Sequence, residues 1–470
     1  MDVEIISKEF IKPSSPTPLH LKTYKLSLLD QLHDHCYPPV SLYYPLKQDT
    51  ELSISSTDID QIVSKRLQLL KQSLSETLSS FYPLAGKMKD KLSVDCNDEG
   101  IYFAEARAKC TLNEFLNRPD LSLVIFKFHP VVGNEQRQSK EIAGAHVGKI
   151  QVTRFSCGGL VICACILHMV ADGVTLGSFL MSWAARAGKN IGEDTSICPN
   201  YEISSLFPQN DHTYPREATA FSKSGKFVVR RFVFDAQAIA NLKAKATTSS
   251  TSLQNPSRVE VVTALISKRI MAAFKAKSGS YKPTLLTRVL NLRPLVRPPL
   301  SENSFGNFVW NADALCKDHD DEVELDGLVW KLRESFTKVV KRLQGDGEGS
   351  LISLCEGIKD ENKEVFADAK DRISFSSVCK FPFYDIDFGW GKPIWMNFTS
   401  FDGSIVQFAN FVILSDTRSG DGIEAWLHLL EEDLALLELD RELLGFASLD
   451  PTPLGKCSSI SHNVIPQSKL

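Results

Sequence analysis

The sequence predicts an α/β protein of more than one domain, and three observations predict it. Strand-like apolar runs and amphipathic helical patterns interleave through both halves of the chain, the order expected of α/β layers. The 470 residues exceed the roughly 250–300 at which a single hydrophobic core stops growing. Residues 189–224 are rich in Asn, Ser, Pro, Asp and Gly with few periodic apolar positions. Such a stretch marks a linker between an N-terminal unit, 1–188, and a C-terminal unit, 225–454, with a polar, irregular tail at 455–470.

In chain order, the prolines between Lys12 and Pro18 hold an extended opening. Tyr24–Leu32 and Val40–Tyr44 are strand-like. Ile59–Ser80 carries Ile62, Leu67, Leu70, Leu74 and Leu78 at helical spacing and stops at Tyr82-Pro83-Leu84-Ala85-Gly86-Lys87. Leu92–Cys96 and Ile101–Ala106 read as two strands around the turn Asn97–Gly100, and Lys109–Gln138 has no clear pattern. Ile150–Phe155, the turn Cys157-Gly158-Gly159 and the apolar run Leu160–Leu167 form a hairpin, followed by a helix over Val174–Ala187. Beyond the linker come a strand at Lys226–Phe234 and helices at Asp235–Ala246 and Arg258–Ala276. Strands follow at Leu285–Leu292 and Phe308–Ala312, then a helix at Leu325–Leu343. Further strands are expected at Phe375–Val378 and Val406–Leu414, and Ile423–Phe446 reads as a long leucine-rich helix closing the fold.

Composition narrows the class. Hydrophobic residues at 43% and charged residues at 23% belong to soluble globular proteins. Lys plus Arg of 53 against Asp plus Glu of 57 gives a net charge of −4, with no global attraction for nucleic acid or anionic membrane. No apolar run approaches the ~20 residues of a membrane span, and MDVEIISKEF lacks the basic and apolar regions of a signal peptide. A reducing, cytoplasmic setting is therefore expected, where the sequon Asn397-Phe398-Thr399 has no glycosylation meaning. The eleven cysteines, without a C-x-x-C pair, are read mostly as small buried hydrophobes. The closing Ser468-Lys469-Leu470 matches a receptor-read peroxisomal address, so peroxisomal import is the alternative expectation.

The chemistry gathers around His168-Met169-Val170-Ala171-Asp172-Gly173, where a buried strand ends and a helix begins. An imidazole titrating near pH ~6.5 is present as a free base at neutral pH and suits removal of a proton from an alcohol or thiol that attacks a carbonyl. On spacing alone Asp172 has two possible roles, orienting the imidazole or pairing with a cation to fix the turn. Gly173 is expected to supply a backbone angle that a Cβ would resist. Tyr384 to Pro393 contains two glycines flanking a tryptophan, a tight loop with one large side chain fixed on it. His33, His35 and Cys36 read as a surface turn rather than a metal site, and no metal is expected. The basic residues between Lys331 and Arg342 suit either the phosphates of a ligand or a solvated helix face. Phosphate-binding glycine motifs and a G-x-S-x-G elbow are absent from the sequence.

Together, His168-x-x-x-Asp172-Gly173 and Asp387-Phe388-Gly389-Trp390-Gly391 resemble the BAHD family of plant acyl-CoA-dependent acyltransferases. Supporting matches are Tyr82-Pro83-Leu84-Ala85-Gly86-Lys87, Val94-Asp95-Cys96, Asn291-Leu292-Arg293, Asp416-Thr417-Arg418 and Gly420-Asp421-Gly422. Residues 11–18 look most like the branch of alkaloid and terpenoid alcohol acetyltransferases that holds vinorine synthase. The resemblance implies two similar-sized domains like chloramphenicol acetyltransferase, with mixed sheets, joined by a crossover loop, and an active-site channel at their interface. It implies His168 as general base and Asp172 as a structural partner of Arg293. Gly173, Asp387, Gly389, Trp390 and Gly391 would support the site. It further implies acyl-CoA, by analogy acetyl-CoA, as co-substrate, a small alcohol as acceptor, no permanently bound cofactor, no covalent acyl-enzyme, and a monomer. Ser376-Ser377-Val378-Cys379-Lys380 stands where the branch commonly has Ser-Ser-Trp-Cys-Arg, a change expected to reshape one pocket wall. An amine acceptor, or a non-catalytic binding protein of the same fold, are the alternatives.

Overall fold

A computed structural model describes residues 1–33, 35–46, 56–118, 120, 125–130, 142–188, 197–210, 223, 225–248, 254–317, 324–344, 368–398 and 410–454. The tail with Ser468-Lys469-Leu470 and most of the 189–224 linker lie outside the described residues, as does Thr399 of the sequon.

Among these residues a six-stranded sheet runs in the order Val3–Ile11, Ile101–Ala108, Gly148–Arg154, Leu160–Ile166, Pro39–Tyr44 and Trp395–Asn397. Only the pair Ile101–Ala108 and Gly148–Arg154 is parallel. A seven-stranded sheet runs in the order Val309–Cys316, Thr284–Asn291, Asp371–Ser377, Phe411–Asp416, Ile423–Leu430, Phe227–Phe234 and Ser448–Leu449. Its Asp371–Ser377 strand lies parallel to both neighbours, and the remaining pairs are antiparallel. Helices Ser56–Ser80 and Gly173–Ala187 pack with the first sheet, and the helices Ala236–Thr248, Arg258–Ser278 and Leu325–Leu343 pack with the second. The architecture is α/β with mixed sheets in two bodies.

Local chemistry explains the elements that frame the site. The hairpin Gly148–Arg154/Leu160–Ile166 is nearly all buried: its second strand is a continuous apolar run, while the first alternates Ile150 and Val152 with Lys149, Gln151 and Thr153. Its turn needs Gly158: φ is +80°, and a Cβ there would stand 2.8 Å from Ile59 Cγ2. The helix Gly173–Ala187 starts at Asp172, whose carboxylate caps it by accepting from Thr175 N at 2.9 Å. Trp183 on that helix donates to Leu70 O and Ser73 Oγ at 3.0 and 3.1 Å, locking it to Ser56–Ser80.

Two expectations are corrected. Ile423–Phe446 is not one helix: Ile423–Leu430 is a strand in the second sheet, and only Glu431–Leu437 and Arg441–Leu444 are helical. That strand is buried at every residue between Phe411–Asp416 and Phe227–Phe234. A strand covered on both faces has no alternation to separate it from a buried helix. The strand expected over Tyr24–Leu32 is also shorter: Thr23–Lys25 is extended, and Asp30–Leu32 is a 3-10 turn. Ser93–Asp95 joins a small sheet with Thr23–Lys25 and Lys87–Met88, while Ile101–Ala108 joins the six-stranded one.

The strand Trp395–Asn397 comes from the C-terminal half but extends the first sheet, with Trp395 opposite Tyr43. Behind it, buried Arg231 packs against both Trp395 and Trp426, its guanidinium 5.1 and 5.5 Å from their ring centres, and the two rings pack on each other at 5.9 Å. Its charge is met by Glu424 at 3.1 Å. The two sheets are therefore joined through a packed, charge-balanced contact.

Burial holds three imidazoles neutral: His33 is lowered to about 3, His146 to about 4 and His428 to about 3. Because the folded state resists protonating them while the unfolded chain takes protons near pH 6.5, each loses stability as pH falls from about 6.5 toward its folded value. Asp30, raised to about 6 by burial, acts in the opposite sense between about 6 and 3.8. The three imidazoles outweigh the one carboxyl. The expected result is a thermal midpoint at least ~5 °C lower at pH 5 than at pH 7, read by scanning fluorimetry.

Candidate active site

His168 follows the end of the strand Leu160–Ile166, and its backbone N–H donates to Cys36 O at 2.8 Å. The half-buried ring is held by a residue from the other half of the chain: Nδ1 lies 3.2 Å from Asn307 Oδ1. Asn307 Nδ2 lies 2.8 Å from Asp30 Oδ1 and 2.7 Å from the His168 carbonyl oxygen. Both of those are acceptors, so the amide nitrogen must stand there and Oδ1 must face the imidazole. His168 Nδ1 is then the donor, and the proton-free nitrogen is Nε2.

Asp30 anchors this relay. Its Oδ1 also accepts from Asn307 N at 2.7 Å, and its Oδ2 accepts from Ser27 N and Ser27 Oγ at 2.7 and 2.8 Å. Burial raises its carboxyl, and the hydrogen bonds from Ser27 and Asn307 work against that. Removing the amide by Asn307→Ala releases the ring to both tautomers. The expected effect is a kcat about fivefold lower with KM within about twofold, measured in steady-state kinetics.

Asp172 does not orient the imidazole, because its oxygens are already taken. Oδ2 accepts from Arg293 Nη1 at 2.7 Å and from Phe308 N at 3.0 Å; Oδ1 accepts from Thr175 N at 2.9 Å and from Arg293 Nη2 at 3.2 Å. Arg293 and Asp172 are 0% and 3% exposed. Burial pushes the Asp172 carboxyl up, but the Arg293 charge and these donors hold it below the usual carboxylate range. Arg293 also donates to the Ser304 and Gly306 carbonyls at 2.9 and 3.0 Å. The pair thus ties the turn after His168 to the loop that presents Asn307.

Gly173 is corrected in its role. It does not adopt positive φ; it is the first residue of the helix, and a Cβ there would stand 3.3 Å from Phe381 Cε2. A Cβ at this position would press on the Phe381 ring and would not strain the backbone. Gly389 and Gly391 do have positive φ, +99° and +107°. The exposed Asp387 accepts from both of their N–H groups at 2.8 Å, closing the loop on itself. Trp390 stacks on Phe388 at 5.6 Å, with the Arg66 guanidinium 5.0 Å from its ring centre.

Residues 378–391 run along the helix Gly173–Ala187. Val378 and Phe381 meet its first residue, Phe383 meets Gly177, and Gly389 meets Gly188. The helix has 15 residues, about 22 Å at 1.5 Å per residue. The Asp387–Gly391 loop therefore sits at the far end of the helix from His168. Val378, where the resembling branch commonly has tryptophan, is buried beside the helix start.

Sequence reasoning missed Asn307 and Asp30 as site residues, and it misplaced His33. The surface-turn reading of His33 is wrong: the ring stacks on His168, centroids 4.6 Å apart and planes 7° apart. Arg333, among the basic residues once open to a ligand role, is committed to Glu260 at 2.8 Å and to the Gln254 and Asn255 carbonyls. The nine cysteines among the described residues are free thiols, five of them buried. Among the described residues no helix is long and apolar enough to cross a membrane.

Comparison with known proteins adds four findings. A family model described as the Transferase family matches residues 1–444. A limonoid 7-O-acetyltransferase of Citrus sinensis is 57% identical over 97% of this chain and 100% of its own length. An epi-neemfruitin B 7-O-acetyltransferase of Melia azedarach is 55% identical over the same shares, 97% and 100%. Among solved structures, vinorine synthase superposes with a TM-score of 0.73 at 33% identity, covering 95% of this chain and 99% of that one.

Proposed function

The chain belongs to the BAHD Transferase family, and from that premise we propose that it is an acetyl-CoA-dependent O-acetyltransferase of a limonoid-type triterpenoid alcohol, acting at a 7-hydroxyl. The acyltransferase class follows from the family. The limonoid acceptor and the 7-position are carried over from the names of the two relatives above, and alkaloid alcohols remain the broader class of the branch.

The observation that carries the mechanism is the relay Asp30–Asn307–His168, which leaves Nε2 as the free base. Nε2 takes the proton of the acceptor hydroxyl as its oxygen attacks the thioester carbonyl. The carbonyl becomes a tetrahedral oxyanion; its collapse breaks the C–S bond and expels the coenzyme A thiolate. The thiolate takes the proton back from the imidazolium, and ester and free coenzyme A leave. A thiol pKa near ~8.5 makes the thiolate a good leaving group, so no separate acid is required. Asp172 and Arg293 act on this sequence by holding the turn that aims His168.

Purified protein incubated with acetyl-CoA and a panel of 7-hydroxy limonoids, alkaloid alcohols and amines tests the proposal by product mass. Acetyl ester formation on the limonoid alcohols is expected. Transfer to amines alone, or no transfer by folded protein, overturns it.

A further inference from the structure

The stack of His33 on His168 has no part in the sequence of steps above, yet it is built. His33 ends the turn Asp30–Leu32, and its N–H donates to Asp30 O at 3.2 Å. The same Asp30 carboxylate binds Asn307, which holds His168 Nδ1. One residue therefore sets two restraints on one ring. The Nδ1 hydrogen bond fixes a pivot but leaves the ring free to turn about it; a second ring lying 4.6 Å away with planes 7° apart removes that freedom. With both restraints the direction of Nε2 is determined.

The stack also bears on charge. When His168 accepts a proton, a cation forms within the ~6 Å over which an aromatic face attracts one. That attraction requires the second ring to stay neutral. Burial and the neighbouring His168 lower His33 to about 3, against a raising influence from Asp172. The charged groups around the pair are themselves occupied: Asp172 by Arg293, and Asp30 by Ser27 and Asn307.

We propose that His33 is a positioning residue of the acetyl transfer, a π-faced ledge that sets the plane of His168 and faces the imidazolium formed as the acceptor is deprotonated. This rests on His168 being the base. Substitution by shape and by face tests it: His33→Phe keeps a flat π face, His33→Leu keeps bulk without one, and His33→Ala keeps neither. The expected result is that kcat for His33→Phe stays within about threefold of the parent, while His33→Leu and His33→Ala fall about tenfold, ~1.4 kcal/mol of barrier. KM for acetyl-CoA and for the alcohol should stay within about twofold. Thermal midpoints of all variants are recorded, and the Phe and Leu pair decides the matter if the alanine variant fails to fold.

Phe and Leu variants that both keep the parent's kcat overturn the proposal, as does a loss that appears in the acceptor KM instead of kcat. A Phe variant as slow as the Leu variant overturns it too, since nitrogen chemistry would then be required. His168→Ala, run in parallel, separates the two ideas. If it retains the parent's turnover, the base assignment fails whatever the His33 series shows. If it is inactive while the His33 series is flat, only the His33 proposal fails.

Discussion

Replacing His168 with alanine is expected to lower kcat for acetyl transfer ~10²-fold or more, the usual size of a general-base contribution. The thermal midpoint should stay near the parent's, because the ring is half-buried and stacks at the junction instead of filling a core. Its loss leaves Asn307 with two of its partners, Asp30 and the His168 carbonyl, both independent of the side chain. Rates from steady-state product formation and a melting curve on the same preparation check both halves of the expectation. Activity within a few fold of the parent would remove His168 from the chemistry.

Asp172→Ala should do the reverse. Arg293 would keep its charge in a fully buried site with its carboxylate partner gone, at a cost of about 3–5 kcal/mol. The helix Gly173–Ala187 would lose its cap, and Phe308 N its acceptor. A fall in midpoint of about 10 °C, or loss of soluble protein, is expected from differential scanning fluorimetry. An Asp172 variant that melts like the parent yet is as inactive as His168→Ala would contradict the structural role.

Much of this was legible in the chain. His168, Asp172 and Gly173 are five residues apart at most and sit between a continuous apolar run and a helical pattern, so local pattern alone located the junction. Arg293 entered through the family resemblance, and the structure places it on Asp172. Asn307 was not legible: it lies 139 residues from His168, and Ser304-Phe305-Gly306-Asn307 reads as an ordinary turn before a strand. His33 was lost for a related reason. A histidine in a polar turn looks solvent-facing until the fold lays that turn against the strand end carrying His168. The backbone angle expected of Gly173 was not legible either, since close packing against Phe381 and positive φ leave the same letter in a sequence. Ile423–Leu430 failed because a strand buried on both faces and a buried helix share one apolar signature.

The central claim is direct transfer to an alcohol with His168 as base. Its most direct measurement is rapid mixing of the enzyme with acetyl-CoA, with and without an accepted limonoid alcohol, followed by quenching and simultaneous reading of intact protein mass and product. The account predicts unmodified protein in both arms and acetyl ester only when the alcohol is present. An acetylated protein that forms without alcohol, and whose label then passes to alcohol at the turnover rate, would contradict it.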